Sequence, residues 1–69
     1  MTLTGTGSID TGSRLIRGNG TLFTSELTQG DAVTLGDFSG IIDHVSDDIT
    51  AKVKESSAVT VTNATITKN

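Results

Sequence analysis

Apolar and polar residues alternate along most of this chain. From Met1 to Ile9, one face carries Leu3, Gly5, Gly7 and Ile9, and the other Thr2, Thr4, Thr6 and Ser8. A period of two with Thr on the wet side predicts a half-buried strand. The glycines add no packing, so residues 1–9 also suit an extended N-terminal arm that orders only against a neighbour. Asp10-Thr11-Gly12-Ser13 turns the chain. Arg14-Leu15-Ile16-Arg17 then predicts a short strand with Leu15 and Ile16 pointing oppositely. Either both of its faces are covered, or one apolar residue meets another subunit. On this reading Arg14 and Arg17 also face opposite sides, as surface arginines or with one bridging a neighbour.

Gly18-Asn19-Gly20 predicts a tight turn, since Asn and Gly both tolerate positive φ. Thr21 is placed as the N-cap of a helix running through Leu27. Phe23 and Leu27 share one face of it, with Glu26 outside. So short a helix is not stable alone. It is ordered only if Phe23 and Leu27 plug a core at an open end of a sheet. Thr28-Gln29-Gly30-Asp31 turns again, and Ala32–Leu35 predicts a strand with Val33 and Leu35 inward.

Gly36-Asp37-Phe38-Ser39-Gly40 reads as a hairpin loop, followed by a strand with Ile41 and Val45 in phase. Ser46-Asp47-Asp48 turns. Ile49, Ala51 and Val53 alternate with Thr50, Lys52 and Lys54, the cleanest amphipathic strand in the chain. After Glu55-Ser56-Ser57, Val59 and Val61 are apolar at odd positions, whereas Ala64 and Ile66 are apolar at even ones. That slip predicts a bulge or tight turn at Asn63. Lys68 and Asn69 are expected to fray. The pattern as a whole predicts an all-β single domain over residues 1–69: a small antiparallel sandwich or partly open barrel of about six to seven strands with one short helical turn.

Composition sharpens this. Only 33% of the 69 residues are hydrophobic, and the aromatics are Phe23 and Phe38 alone. Below roughly 70–80 residues a single core rarely supplies more than about 3–5 kcal/mol without disulfides, metal or oligomerisation. There is no Cys and one His, which leaves oligomerisation or docking on a larger assembly. A net charge of −3 with interspersed signs lacks the basic footprint of a nucleic-acid binder. No apolar run approaches the ~20 residues of a membrane span, and no signal-peptide pattern opens the chain. A protein made in a cytoplasm is expected.

Candidate chemistry is sparse. His44 beside Asp43 suggests an acid–base pair, but strand neighbours point apart, so a solvent-facing histidine is expected. Asp43, Asp47 and Asp48 could offer oxygens to a cation, yet no EF-hand loop surrounds them and a solvated turn is expected instead. The two sequons at Asn19 and Asn63 are read as coincidence in a Thr-rich chain. Gly5-Thr6-Gly7 and Gly18-Asn19-Gly20 lack the helix and Lys of a phosphate loop. The repeated Thr-x-Thr pairs would suit ice binding only with a regular coil period, which is missing.

The run Gly18-Asn19-Gly20-Thr21-Leu22-Phe23-Thr24-Ser25-Glu26-Leu27-Thr28-Gln29-Gly30-Asp31-Ala32-Val33-Thr34-Leu35, with Ile41-Ile42-Asp43-His44-Val45-Ser46-Asp47-Asp48-Ile49-Thr50 after it, resembles a small β module of tailed-bacteriophage virion proteins. The shared pattern is G-x-G-T-x-F-T-x-x-L-x-x-G-D-x-[IV]-x-[LIV], a hairpin, and a strand ending S-D-x-x-[LIV]-T. The likeness covers residues 14–54 and departs after Asp48, where the family usually has Thr before the hydrophobic residue. It implies core roles for Phe23, Leu27, Val33 and Leu35, a turn role for Gly30, and a backbone-bonding role for Asp31. It further implies a structural virion protein, most simply a capsid decoration or cement protein that bridges coat subunits. The alternative is a tail- or fibre-associated module contacting another virion protein or a host surface. Partners would be the major capsid protein and further copies of the chain, as a dimer or trimer. The candidate interface residues are Leu3, Arg14, Leu15, Ile16 and Arg17. Neither enzyme activity nor a cofactor is expected.

Overall fold

The computed structural model describes every residue from Met1 to Asn69. In chain order the elements are β1 (Thr2–Ile9), β2 (Leu15–Asn19), α1 (Phe23–Glu26), β3 (Ala32–Leu35), β4 (Phe38–Asp47), β5 (Thr50–Val53) and β6 (Val61–Lys68). The six strands close into one barrel in the order β1-β2-β5-β4-β3-β6. Every neighbouring pair is antiparallel. The all-β expectation holds, and the strands close into a complete barrel. Residues 1–9 are not a loose arm. They form β1, which pairs with β2 on one side and β6 on the other.

The connectivity explains where the helix lies. Three connections join strands that are neighbours in the barrel. The other two, β2 to β3 and β5 to β6, join strands on opposite sides of it. A chain linking opposite walls must cross a mouth, because the interior of so small a barrel is filled by side chains. The first crossing contains α1 and drops Phe23, fully buried, into one end. The second, residues 54–60, crosses the other end. It is tied down by Gly12 N–H to Ser57 O and by Ser57 N–H to Ser13 O. Ser57 is buried there, and its hydroxyl both donates to the Val59 carbonyl at 2.6 Å and accepts from the Val59 N–H at 3.1 Å.

The helix is shorter than expected, and Thr21 is not its cap. The N-cap position falls on Leu22, which makes no side-chain cap bond. Capping comes from Asp48, far along the chain. Its carboxylate accepts from the Thr24 N–H at 3.1 Å and from the Thr24 hydroxyl, while its carbonyl accepts from Phe23 N–H at 3.3 Å and from the buried Thr21 hydroxyl. Thus the β4–β5 turn clamps the plug. Gly18 is required beside it, since a Cβ there would strike the Thr21 side chain. Glu26, half-buried on the outside of the plug, bonds back to β1. Its carboxylate accepts from the Thr4 N–H and hydroxyl, both at 2.9 Å. Thr4 N–H is free to donate because the β1–β6 register breaks between Thr2 and Thr6, around Gly5 at φ 79°.

The core comprises thirteen buried apolar residues from every strand and the plug. It includes Phe23, Leu27, Val33 and Leu35 as expected, and also Phe38 and Ile42. The latter two correct the hairpin reading. The β3–β4 turn is only Gly36-Asp37, between paired Leu35 and Phe38, and Gly36 takes φ 59°. Glycine first in a two-residue loop is the type II′ requirement. Phe38 therefore begins β4 and its ring lies over Gly40, whose Cβ would meet it at 2.6 Å. Phe38, Gly40 and Ile42 point inward, leaving Ile41 40% exposed. Val45 still turns inward because a register shift between Ile42 and His44 changes the phase. Ile49, expected inward, sits in the two-residue turn between Asp47 and Thr50 and is 55% exposed.

The slip at Asn63 is a bulge: Asn63 takes φ 48°, and the β1–β6 register shifts between Gly7 and Ile9. It lets Val61 and Ile66 both face inward. Val59 lies in the preceding loop, outside β6. The C-terminus does not fray. Lys68 N–H bonds Met1 O, Asn69 N–H bonds Ala32 O, and Lys68 Nζ donates to Glu26 O at 2.8 Å.

Two substitutions test this architecture. Phe23→Ala empties the plugged mouth and is expected to cost about 3–5 kcal/mol, enough to unfold most of a domain this small; urea titration followed by circular dichroism reads it. Asp48→Ala is expected to cost about 0.5–2 kcal/mol through loss of the cap, and the amide of Thr24 should lose exchange protection before the strands do.

Candidate functional site

Four of the eight carboxylate side chains, Glu26, Asp31, Asp47 and Asp48, hold the backbone. Asp31 Oδ2 accepts from Thr28 N–H at 2.8 Å, as the turn at Gly30-Asp31 requires, and lies 3.6 Å from Lys68 Nζ. Asp47 Oδ1 accepts from Ile49 N–H at 3.0 Å, and Asp48 caps α1. Asp43 stands apart from both, 3.7 Å from His44 Nδ1. Asp43 and His44 both reach solvent, because the register shift beside them breaks strict alternation. Of the three aspartates that lie close in sequence, Asp47 and Asp48 thus bond backbone amides, and Asp43 stands in solvent beside His44. No group of three or more His, Asp and Glu side chains is arranged to hold a metal ion. No helix is long and apolar enough to cross a membrane.

The five residues expected at an interface separate into two groups. Leu3 and Ile16 are buried in the barrel core. A closed barrel has one interior, so the inward member of each alternating pair is simply core. Leu15, Arg14 and Arg17 are exposed. Arg17 lies on the outer side of β2 with Leu15, and exposed Arg14 precedes the strand, its carbonyl accepting from Val53 N–H.

These exposed residues belong to one wall. Leu15 on β2 stands opposite Lys52 on β5, and Lys52 stands opposite His44 on β4. Leu15 is 41% exposed, and Ile41 on β4 adds a second exposed aliphatic. Lys54 continues β5 past its last paired residue, with its N–H on Ile41 O at 2.9 Å. Of the cations on this wall only Arg17 has an acidic partner within reach, Asp10 at 3.3 Å. Arg14, Lys52 and Lys54 have none.

The opposite wall is different in kind. Ser39, Thr34, Thr67 and Thr2 form a continuous cross-strand row over β4, β3, β6 and β1. Thr6 and Thr65 pair in a second row. The barrel therefore gathers exposed aliphatics and unpaired lysines on one side and a row of hydroxyls on the other. Alternation exposes these side chains, but only the strand order gathers them by type.

No family model, curated protein or solved structure matches the chain.

Because Leu15 and Lys52 lie outside the core, Leu15→Asp and Lys52→Glu should each change unfolding free energy by no more than about 0.5 kcal/mol. Coincident thermal melts of these variants and the parent would show that the wall is free for a role other than folding.

Proposed function

We propose that the protein is a structural component of a tailed-phage virion, a capsid decoration or cement protein that stabilises the head by bridging coat subunits. The observation that carries this reading is the outward placement of Leu15 and Ile41 among unpaired Arg14, Lys52 and Lys54 on one wall of a fully filled barrel. Exposed aliphatics flanking two unpaired lysines suit docking on an acidic, partly apolar protein surface. The likeness of the Phe23, Leu27, Gly30-Asp31 spacing to phage virion modules supports the same reading. So does the small core, which gains stability from a partner that binds only the folded state.

The reading includes assembly with copies of itself as a dimer or trimer on the shell.

Particles made by the genome that encodes the chain decide the matter. Cryo-microscopy is expected to place the barrel at repeated positions on the capsid lattice, with the Leu15–Lys52 wall against coat protein. Its absence from purified particles would overturn the virion assignment; density confined to the tail would replace decoration by a tail role.

A further inference from the structure

The barrel is continuous around its circumference but not along its whole height. β4 runs beside β5 only as far as Ile42 opposite Val53, with one further bond from Lys54 N–H to Ile41 O. The chain then leaves β4 and crosses to Ser13, where Ser57 N–H is bonded. Below that point the β5 side of β4 has no strand beside it.

Register shows which backbone groups this exposes. Leu35 and Phe38 close a two-residue hairpin, so they form a hydrogen-bonded pair. Val33 and Gly40 are the next bonded pair, and Ile42 N–H donates back toward β3, to Asp31 O. Alternation then turns the N–H and C=O of Ser39, and the N–H of Ile41, away from β3. They point to the vacant side and have no partner within the chain. Beside them lies a cavity of about 390 Å³, lined by Val33, Phe38, Gly40, Ile41, Lys54 and Glu55 among others. Its floor is apolar, and Lys54 stands at the end nearest Ile41.

We propose that this seam is a strand-acceptor site, filled by an extended segment of a partner protein that adds to the β4 edge. An extended main chain supplies the alternating acceptor and donor that Ser39 and Ile41 lack. One apolar side chain of that segment enters the cavity over Phe38. Charge selects its ends: Lys54 faces the seam, with unpaired Lys52 and Arg14 beyond it, so the part of the segment passing Ile41 is acidic. Glu55 lines the other side of the seam and disfavours acid there. The site stands independently of the virion reading, because any partner with such a segment would satisfy it.

A blocked six-residue peptide of alternating valine and threonine, with aspartates at one end, is the probe. Titrated into the isotope-labelled full chain, it should shift resonances of residues 38–41 and 54–56 and slow amide exchange of Ser39 and Ile41. Ser39→Pro deletes a donor that has no internal acceptor, at a position where an edge strand tolerates proline. It should keep the fold and weaken the peptide by roughly tenfold. A peptide ending in lysines in place of aspartates should bind several-fold more weakly in low salt.

Exchange protection of the wild-type amides decides the proposal even if Ser39→Pro fails to fold. Fast exchange at Ser39 and Ile41 with saturating peptide, or shifts confined to another surface, would overturn it. So would a peptide-free dimer that protects these two amides, for the edge would then belong to a second copy of the chain. Neither result bears on whether the protein resides in a virion.

Discussion

The structure depends on two chain crossings that connect opposite walls of a six-stranded barrel. Each crossing must cover a mouth, and each does so with what its sequence provides. At one end Phe23 enters the core and is held from outside by Asp48. At the other, buried Ser57 satisfies its own loop and pairs with the β1–β2 turn. Without Phe23 and Leu27 the strand side chains would be left uncovered at one mouth, which close packing does not permit. The plug at Phe23 is therefore part of the fold and not an ornament upon it.

Satisfying backbone groups at these crossings takes up much of the acidic complement. Glu26 serves the broken β1 ladder, Asp31 its turn, Asp47 the β4–β5 hairpin and Asp48 the helix. The cations are employed differently. Lys68 is drawn into the fold by Asp31 and the Glu26 carbonyl, but Arg14, Lys52 and Lys54 remain unpaired on one wall. That division leaves a net acidic protein with unpaired cations on one face. It is a consequence of strand order and could not be inferred from the total charge. The hydroxyl rows on the far wall have the same origin, since β1, β3 and β6 come together only through closure.

Much of the local structure was legible in advance. The strict alternation of Thr50–Val53, the turn at Gly30-Asp31 and the bulge at Asn63 all follow from nearest-neighbour patterns. The errors have a common cause. Phe38 was assigned to a loop because Gly36 and Gly40 flank it, yet Gly40 is there to accommodate its ring within the strand. Ile41 was placed inside because it is in phase with Val45, and an irregularity between them reverses that relation. Local pattern assigns Leu15 or Ile16 to a partner because one wall of an open sheet cannot cover both sides of a strand. Closure covers Ile16 from within and leaves Leu15 outside. The cap at Asp48 had no signal near the helix at all, since its carboxylate arrives from the β4–β5 turn.

By itself the sequence determined an antiparallel β domain with a short aromatic-bearing helical turn, because alternation, glycine placement and β-branched content act over a few residues. Only the tertiary structure decided that the sheet closes and that the Phe23 segment spans a mouth. It also decided that the β4 edge is left open beside Lys54. These facts rest on which distant strands become neighbours. That choice is made by the joint filling of one interior volume, a constraint that no local stretch of chain contains.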